Sequence, residues 1–224
     1  MENFITIQEN FWESDFGKEY TNRNSYSTDE EWDKECIRDW GYTKIEMNNF
    51  VLADLPKDTK ILEVGCNIGN QLRGFQRMGF THLYGIELQQ YAVELAKKTT
   101  RNINIIQGSG FDIPFKDNYF DLVCTNVVLI HISPDDHYRI MSEIFRCSKR
   151  YIMGFEYFAD EITAINYRGN TNVLWKADFA KIYLDNFPNL RVVKRRKIPY
   201  RNTDEAGNVD EIFLLEKIER VVYS

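Results

Sequence analysis

The segment Glu63-Val64-Gly65-Cys66-Asn67-Ile68-Gly69-Asn70 places an acid two residues before a glycine and a second glycine four residues after it. At a strand-to-helix turn such glycines let a ligand approach the backbone and supply the positive φ of a tight turn. A second acid ends Tyr84-Gly85-Ile86-Glu87, 18 residues after Gly69. A carboxylate at that distance, at the end of the next strand, accepts from the two ribose hydroxyls of an adenosine. The dinucleotide pattern G-x-G-x-x-G is not met, because Asn67 replaces the middle glycine and Asn70 follows Gly69 directly. Glu63 makes the same distinction: a carboxylate repels a pyrophosphate but attracts an ammonium or sulfonium. The pattern therefore favours an adenosine-containing ligand that carries a cation over a nicotinamide dinucleotide.

These residues need strands and helices to hold them. Lys60-Ile61-Leu62-Glu63-Val64 is a short apolar run that stops at glycine and reads as a buried strand. The pattern then predicts a helix over 68–78, a strand over 82–86, a helix over about 90–98, and strands over 103–106 and 121–126. A helix is expected from Pro134 to Cys147, with Ser133 as N-cap and Pro134 at its first position. A strand follows over 150–156, then a loop over 160–173 and a helix near 176–186. Two further strands, 190–199 and 209–217, are joined by residues 202–208, too short for a crossover, so they are expected to pair antiparallel. Alternating strands and helices imply a mostly parallel sheet with helices on both faces. Before it, residues 1 to about 50 are polar-aromatic and partly helical, with Thr28-Asp29-Glu30-Glu31 as a capped helix start.

Composition narrows the classes. The 224 residues are 43% hydrophobic and 28% charged, and the formal charge is −6, which disfavours nucleic acid or an anionic membrane as partner. No apolar stretch is long enough to span a bilayer, and Met1-Glu2-Asn3-Phe4 lacks the basic start of a signal peptide. Cys36, Cys66, Cys124 and Cys147 form no C-x-x-C pair, so neither a metal site nor a disulfide framework is expected. Together these point to a reduced, cytoplasmic protein. Its 14% aromatic content exceeds what the strands need. Lys194-Arg195-Arg196-Lys197 lies on a predicted strand, so alternation sends its charges to both faces of a solvated edge.

Over nearly its whole length the sequence resembles the class I S-adenosylmethionine-dependent methyltransferases. Their acid-x-G-x-G-x-G motif is matched by Glu63, Gly65 and Gly69, with Asn67 as the departure. Gln107-Gly108-Ser109-Gly110-Phe111-Asp112-Ile113-Pro114-Phe115 is similar to the family's adenine-side loop, with Ser109 where Asp is commoner. Phe120-Asp121-Leu122-Val123, followed by Asn126-Val127-Val128-Leu129-Ile130-His131, resembles the fourth-strand motif and the start of the active-site wall. The resemblance implies a Rossmann-like, seven-stranded, mostly parallel sheet with an antiparallel C-terminal hairpin. An N-terminal helical lid (1–52) would cover a single methyltransferase domain (53–224) with a lid loop at 157–175. It implies S-adenosyl-L-methionine as cofactor, giving S-adenosyl-L-homocysteine as product. Cofactor contacts are implied at Glu63, Gly65, Asn67, Gly69, Asn70, Glu87, Leu88, Ser109, Gly110, Phe111 and Asn126.

Outside that core, Phe11-Trp12-Glu13-Ser14-Asp15-Phe16-Gly17-Lys18-Glu19-Tyr20, Glu156-Tyr157-Phe158 and Leu174-Trp175-Lys176-Ala177-Asp178-Phe179 are similar to the pseudaminic acid biosynthesis-associated methylases. That group implies a small anionic or sugar-like acceptor, a nonulosonic sugar or another surface-glycan precursor, methylated on oxygen. His131, at the carboxyl end of the fourth strand, is the first candidate for a general base, followed by Glu156 and Tyr157 at the end of the fifth. Tyr20 and Arg23 are candidates for the cofactor's methionine end, and Arg168 for an anionic group on the acceptor. Trp12 and Trp175 are expected to roof one acceptor pocket. Two other readings stay open: a non-catalytic cofactor-binding scaffold and a nicotinamide-dependent oxidoreductase.

Overall fold

The computed structural model describes residues 5–26, 28–202 and 207–218. Four helices come first: α1 (Ile7–Glu13), α2 (Asp15–Arg23), α3 (Asp29–Trp40) and α4 (Lys44–Leu52). Their boundaries are written in the sequence. Thr6 and Thr43 each form a capping box with the Glu three residues on, and Thr28 accepts from Glu31 N. Ser14 ends α1 and caps α2, so the two short helices turn sharply against each other.

The central unit alternates β1 (Lys60–Val64), α5 (Asn70–Arg77), β2 (His82–Glu87), α6 (Gln90–Thr99), β3 (Asn104–Gln107), β4 (Phe120–Asn126), α7 (His137–Cys147) and β5 (Ser148–Tyr157). Two short strands, β6 (Thr163–Ala164) within the expected loop and β7 (Trp175–Lys176) where a helix is expected to start, pair antiparallel. Then come α8 (Phe179–Asn186), β8 (Leu190–Pro199) and β9 (Val209–Lys217). The main sheet has the order β3-β2-β1-β4-β5-β9-β8; β9 alone is reversed, pairing antiparallel with both β5 and β8. The order reverses between β1 and β4, so their carboxyl ends open a crevice at the topological switch point.

Because the central strands are buried on both faces, neighbouring residues serve different cores. Leu62, Val123, Ile152 and Leu215 pack with Ile140, Met141 and Ile144 of α7 and with Phe179 and Tyr183 of α8. Ile61, Leu122, Met153 and Leu214 pack with Trp32 of α3, Val51 and Leu52 of α4, Leu72 and Phe75 of α5, and Val93 of α6. All four cysteines are buried free thiols. Among the described residues no helix is long and apolar enough to cross a membrane. On the edge strand β8 the basic run is neutralised by acids: Arg195 pairs with Glu211 and Asp178, each at 2.7 Å, and Lys194 pairs with Asp54 at 2.8 Å.

Several expected bounds shift. α5 begins at Asn70 because Gly69, with φ 80°, is its N-cap and not a helical residue. Pro134 does not open α7. It starts a 3-10 turn, Pro134–Asp136, after which α7 runs from His137, and the Ser133 side chain makes no capping bond. α8 starts at Phe179, where Asp178 accepts from Lys181 N. The β8–β9 hairpin forms as expected, with residues 203–206 of its connection outside the described residues.

Leu122 lies at the centre of β4 with no exposed surface. Leu122→Ala should cost about 3 kcal/mol of unfolding free energy in urea titrations. Val193→Ala, on the exposed edge strand, should stay within about 0.5 kcal/mol.

Candidate active site

A cavity of about 560 Å³ opens over the carboxyl ends of β1, β2, β4 and β5. Its floor is the turn after β1. Gly65 N and Cys66 N donate to Ile86 O at 2.8 and 3.1 Å, which ties the turn to β2. Gly65 adopts φ 72°, and a Cβ there would lie 2.6 Å from Val128 Cγ2, so only glycine fits between the two loops. Asn67 takes a left-handed φ of 47°, which asparagine tolerates, and so does the work of the missing glycine. Its N–H donates to Glu87 Oε2 at 2.8 Å, while Gln89 N donates to Glu87 Oε1 at 2.9 Å. Burial raises the Glu87 carboxyl above its ordinary range, and these N–H donors hold the rise in check.

The wall beyond β4 is strained. Val127, a β-branched residue, has φ 58°. It is held there by its own N–H on Phe155 O at 2.8 Å and by Val128 N donating to Glu156 Oε2 at 3.0 Å. Glu156 is fully buried, and burial pushes its carboxyl up to about 7 against the opposing N–H bonds. Its carboxylate caps the loop that carries His131 and does not line the cavity.

His131 does. His131 Nδ1 lies 3.0 Å from Val173 O, and since a carbonyl only accepts, Nδ1 carries the proton and Nε2 keeps its lone pair. The imidazole is covered by Trp12, ring centroids 4.3 Å apart, and flanked by Tyr167 at 5.8 Å and Tyr20 at 6.3 Å. Burial lowers its pKa to about 4, with the Val173 carbonyl opposing.

The roof is α1–α2 and the 157–175 segment. Gln89 Nε2 donates to Trp12 O at 3.0 Å and Ser14 O at 3.3 Å, and Thr21 Oγ1 donates to Gln89 Oε1. Gln8 Nε2 reaches Asn172 O, so the two parts of the roof meet. Arg23, whose guanidinium sits over the Phe16 ring, and Arg168, with φ 51°, both line the cavity.

Of the residues expected from sequence, Trp12, Tyr20, Arg23, Gly65, Asn67, Asn70, Glu87, Leu88, Ser109, Gly110, Phe111, Asn126, His131, Tyr157 and Arg168 line this one cavity. Glu63, Gly69, Glu156 and Trp175 do not. Glu63 is buried on β1 beneath it, Gly69 shapes the turn behind it, and Trp175 is buried in the β6–β7 pair. Sequence reasoning missed Glu9, Gln89, Trp40 and Tyr200. Glu9 was signalled by its capping box with Thr6; the other three are brought in only by packing. Trp40 Nε1 donates to Asp210 Oδ2 at 2.9 Å, and Tyr200 packs on Trp40 at 5.4 Å. Asp210, raised to about 8 by burial, stood out only as an acid in an apolar strand.

Several buried acceptor atoms here make no hydrogen bond within the protein: Glu63 Oε2, Asn67 Oδ1, Asn70 Oδ1 and Asn126 Oδ1. A ligand carrying an ammonium and hydroxyls would satisfy the three asparagine oxygens, whose residues line the cavity, because buried polar atoms cost free energy unless paired. Burial pushes the Glu63 carboxyl well up, with nearby Lys44 opposing and Glu87 adding. A cation in the cavity would return it to the carboxylate form. The acceptor set fits S-adenosylmethionine.

Residues 62–151 match the protein family described as "Methyltransferase domain". The crevice, the sheet order and the reversed last strand agree with it. This is a class I methyltransferase fold. Among curated proteins, an uncharacterized methyltransferase of Schizosaccharomyces pombe is 29% identical over 114 residues, 46% of this chain and 40% of that protein. The chain spans 40% or less of the length of the first curated relatives it matches. Two solved structures extend the likeness to the whole chain. Burkholderia thailandensis 1,6-didemethyltoxoflavin-N1-methyltransferase, with bound 1,6-didemethyltoxoflavin and S-adenosylhomocysteine, superposes with a TM-score of 0.69 at 14% identity, covering 98% of this chain and 94% of its own. PH0226 protein from Pyrococcus horikoshii superposes with a TM-score of 0.66 at 15% identity, covering 92% and 99%. At these identities the likeness speaks to the fold.

The His131 shift has a defined sign. A depressed imidazole pKa contributes stability that is present above about 6.5 and is lost as pH falls through about 4. That contribution amounts to about 3 kcal/mol. Denaturation at pH 4 to 7 should therefore show stability rising more steeply with pH in wild type than in His131→Gln.

Proposed function

We propose that the protein is an S-adenosylmethionine-dependent methyltransferase acting on a small polar acceptor, an oxygen nucleophile on a nonulosonic sugar or related surface-glycan precursor. The reading is carried by the unpartnered acceptors Asn67 Oδ1, Asn70 Oδ1 and Asn126 Oδ1 around a turn locked to Glu87. They call for an ammonium and hydroxyls, not a pyrophosphate. The resemblance of the roof segments to the pseudaminic acid-associated methylases supplies the sugar half.

When bound, the cofactor supplies a methyl group already activated as a sulfonium. The chain's own work is alignment, desolvation and proton handling. Glu87 accepts from the ribose hydroxyls, and Arg23 pairs with the cofactor's carboxylate. Trp12, Tyr20 and Tyr167 exclude water above His131. His131, fixed by Val173 O, receives the acceptor's hydroxyl proton at Nε2. Its buried imidazole is a weak base alone, and an anionic acceptor held by Arg168 raises its basicity. Tyr157 and Tyr200, which share a hydrogen bond, offer hydroxyls to the acceptor's remaining polar groups.

Calorimetry should show saturable binding of S-adenosylhomocysteine, weakened at least about tenfold by Glu87→Gln, the loss expected for a hydrogen bond to a charged acceptor. Absence of binding sinks the reading. Turnover of labelled methyl donor against nonulosonates, nucleotide sugars and cell-wall precursors identifies the acceptor. On the active member His131→Gln should lower kcat by about 100-fold or more with KM little changed.

A further inference from the structure

One carboxylate in the cavity comes from the roof and not from the sheet. Glu9 of α1 lines the cavity beside Leu88, Ser109 and Phe111. The same four residues also bound a shallower outer pocket of about 360 Å³, so Glu9 and the 109–111 loop form the partition between cavity and surface. Behind that partition the cavity lining includes the apolar side chains of Leu88, Phe111, Ile132 and Ile140, a lining suited to a flat heterocycle.

Glu9 and Ser109, beside these apolar residues in the lining, are fixed in orientation. Ser109 Oγ donates to Glu9 Oε1 at 2.5 Å and accepts from Phe111 N at 3.0 Å, so its proton and a lone pair are both committed. Glu9 Oε2 accepts from Thr6 N at 2.8 Å through the capping box, which prevents the carboxylate from swinging away. A carboxylate has about four acceptor positions. These two bonds leave further lone pairs on a carboxylate that lines the cavity, where they attract an N–H donor and repel a carbonyl oxygen.

We propose that Glu9 selects the base of the bound nucleoside, accepting from the exocyclic amine of adenine and rejecting a 6-oxo purine. This rests on the proposed cofactor and adds a residue from the roof to the cofactor site. The base then bridges α1 to the sheet, because the same carboxylate holds Ser109 and caps the helix. Recognition of the purine edge and closure of α1 become one event.

Calorimetry on the full chain with S-adenosylhomocysteine and its deaminated analogue S-inosylhomocysteine separates the two claims. Wild type should bind the adenine compound at least tenfold more tightly. In Glu9→Gln, which keeps the capping box because glutamine serves at that position, the ratio should fall below threefold. Glu13→Gln, on the outer side of the same helix, should keep the wild-type ratio. The inference is overturned by an undiminished ratio in Glu9→Gln, or by an equal collapse in Glu13→Gln, which would make the effect one of bulk charge. If wild type binds neither compound, the cofactor reading itself is overturned and this inference with it.

Discussion

The Glu87 carboxylate is the tie on which the rest of the site depends. One oxygen accepts from Asn67 N and closes the turn after β1; the other accepts from Gln89 N at the start of α6. Gln89 in turn uses its side chain to hold Trp12 O, Ser14 O and the Thr21 hydroxyl. A single half-buried acid thus organises the cavity floor and, one residue removed, its roof. That arrangement works because a desolvated carboxylate is stable only when N–H groups surround it.

The roof has its own logic. Trp12, Phe16, Tyr20 and Tyr167 pack around His131 at centroid distances that favour edge-on and tilted contacts. This is where the surplus of aromatic residues goes. Because α1 and α2 are only seven and nine residues long, packing on His131 and Gln89 holds them in place more than intrinsic propensity does. The same contacts that hold the helices also dry the imidazole and lower its pKa.

Beneath the cavity lies a concentration of buried charge. Lys44 is almost wholly buried, with Nζ 3.0 Å from the Phe155 ring centroid, and it faces the fields of Asp210, Glu63 and Glu156. Burial lowers the lysine to about 8 and raises all three acids. Raised in this way, the three carboxyls are held toward their neutral forms. Ligand acceptors around Gly65 are unpartnered on the cavity side of the same group. A cationic ligand group in the cavity would draw Glu63 back toward its carboxylate form.

Local sequence was sufficient for what local chemistry controls. The strands are legible because buried parallel strands are continuous apolar runs, and the helix starts because Thr6, Thr28 and Thr43 cap the first turns of α1, α3 and α4. Gly65, Asn67 and Glu87 are legible because the turn and the acid stand at a spacing set by one βαβ unit. The misread start of α7 shows the limit: Ser133-Pro134 has the residue types of a helix entry, yet the chain there tightens into a 3-10 turn. Glu156 shows it again. Sequence puts the acid at a strand end, where bases are found. Only the packed structure turns its carboxylate onto Val128 N and away from the cavity. The sequence alone thus settled the sheet's general class, the glycine turn and the acid that ends β2, all of which depend on contacts within a few dozen residues. Tertiary structure decided which side chains share the cavity: Glu9 against Ser109 across 100 positions, Trp40 against Asp210 across 170, Trp12 against His131. Those pairs follow from how helices dock on the sheet, and docking is driven by apolar area, which is non-directional and leaves no spacing in the chain.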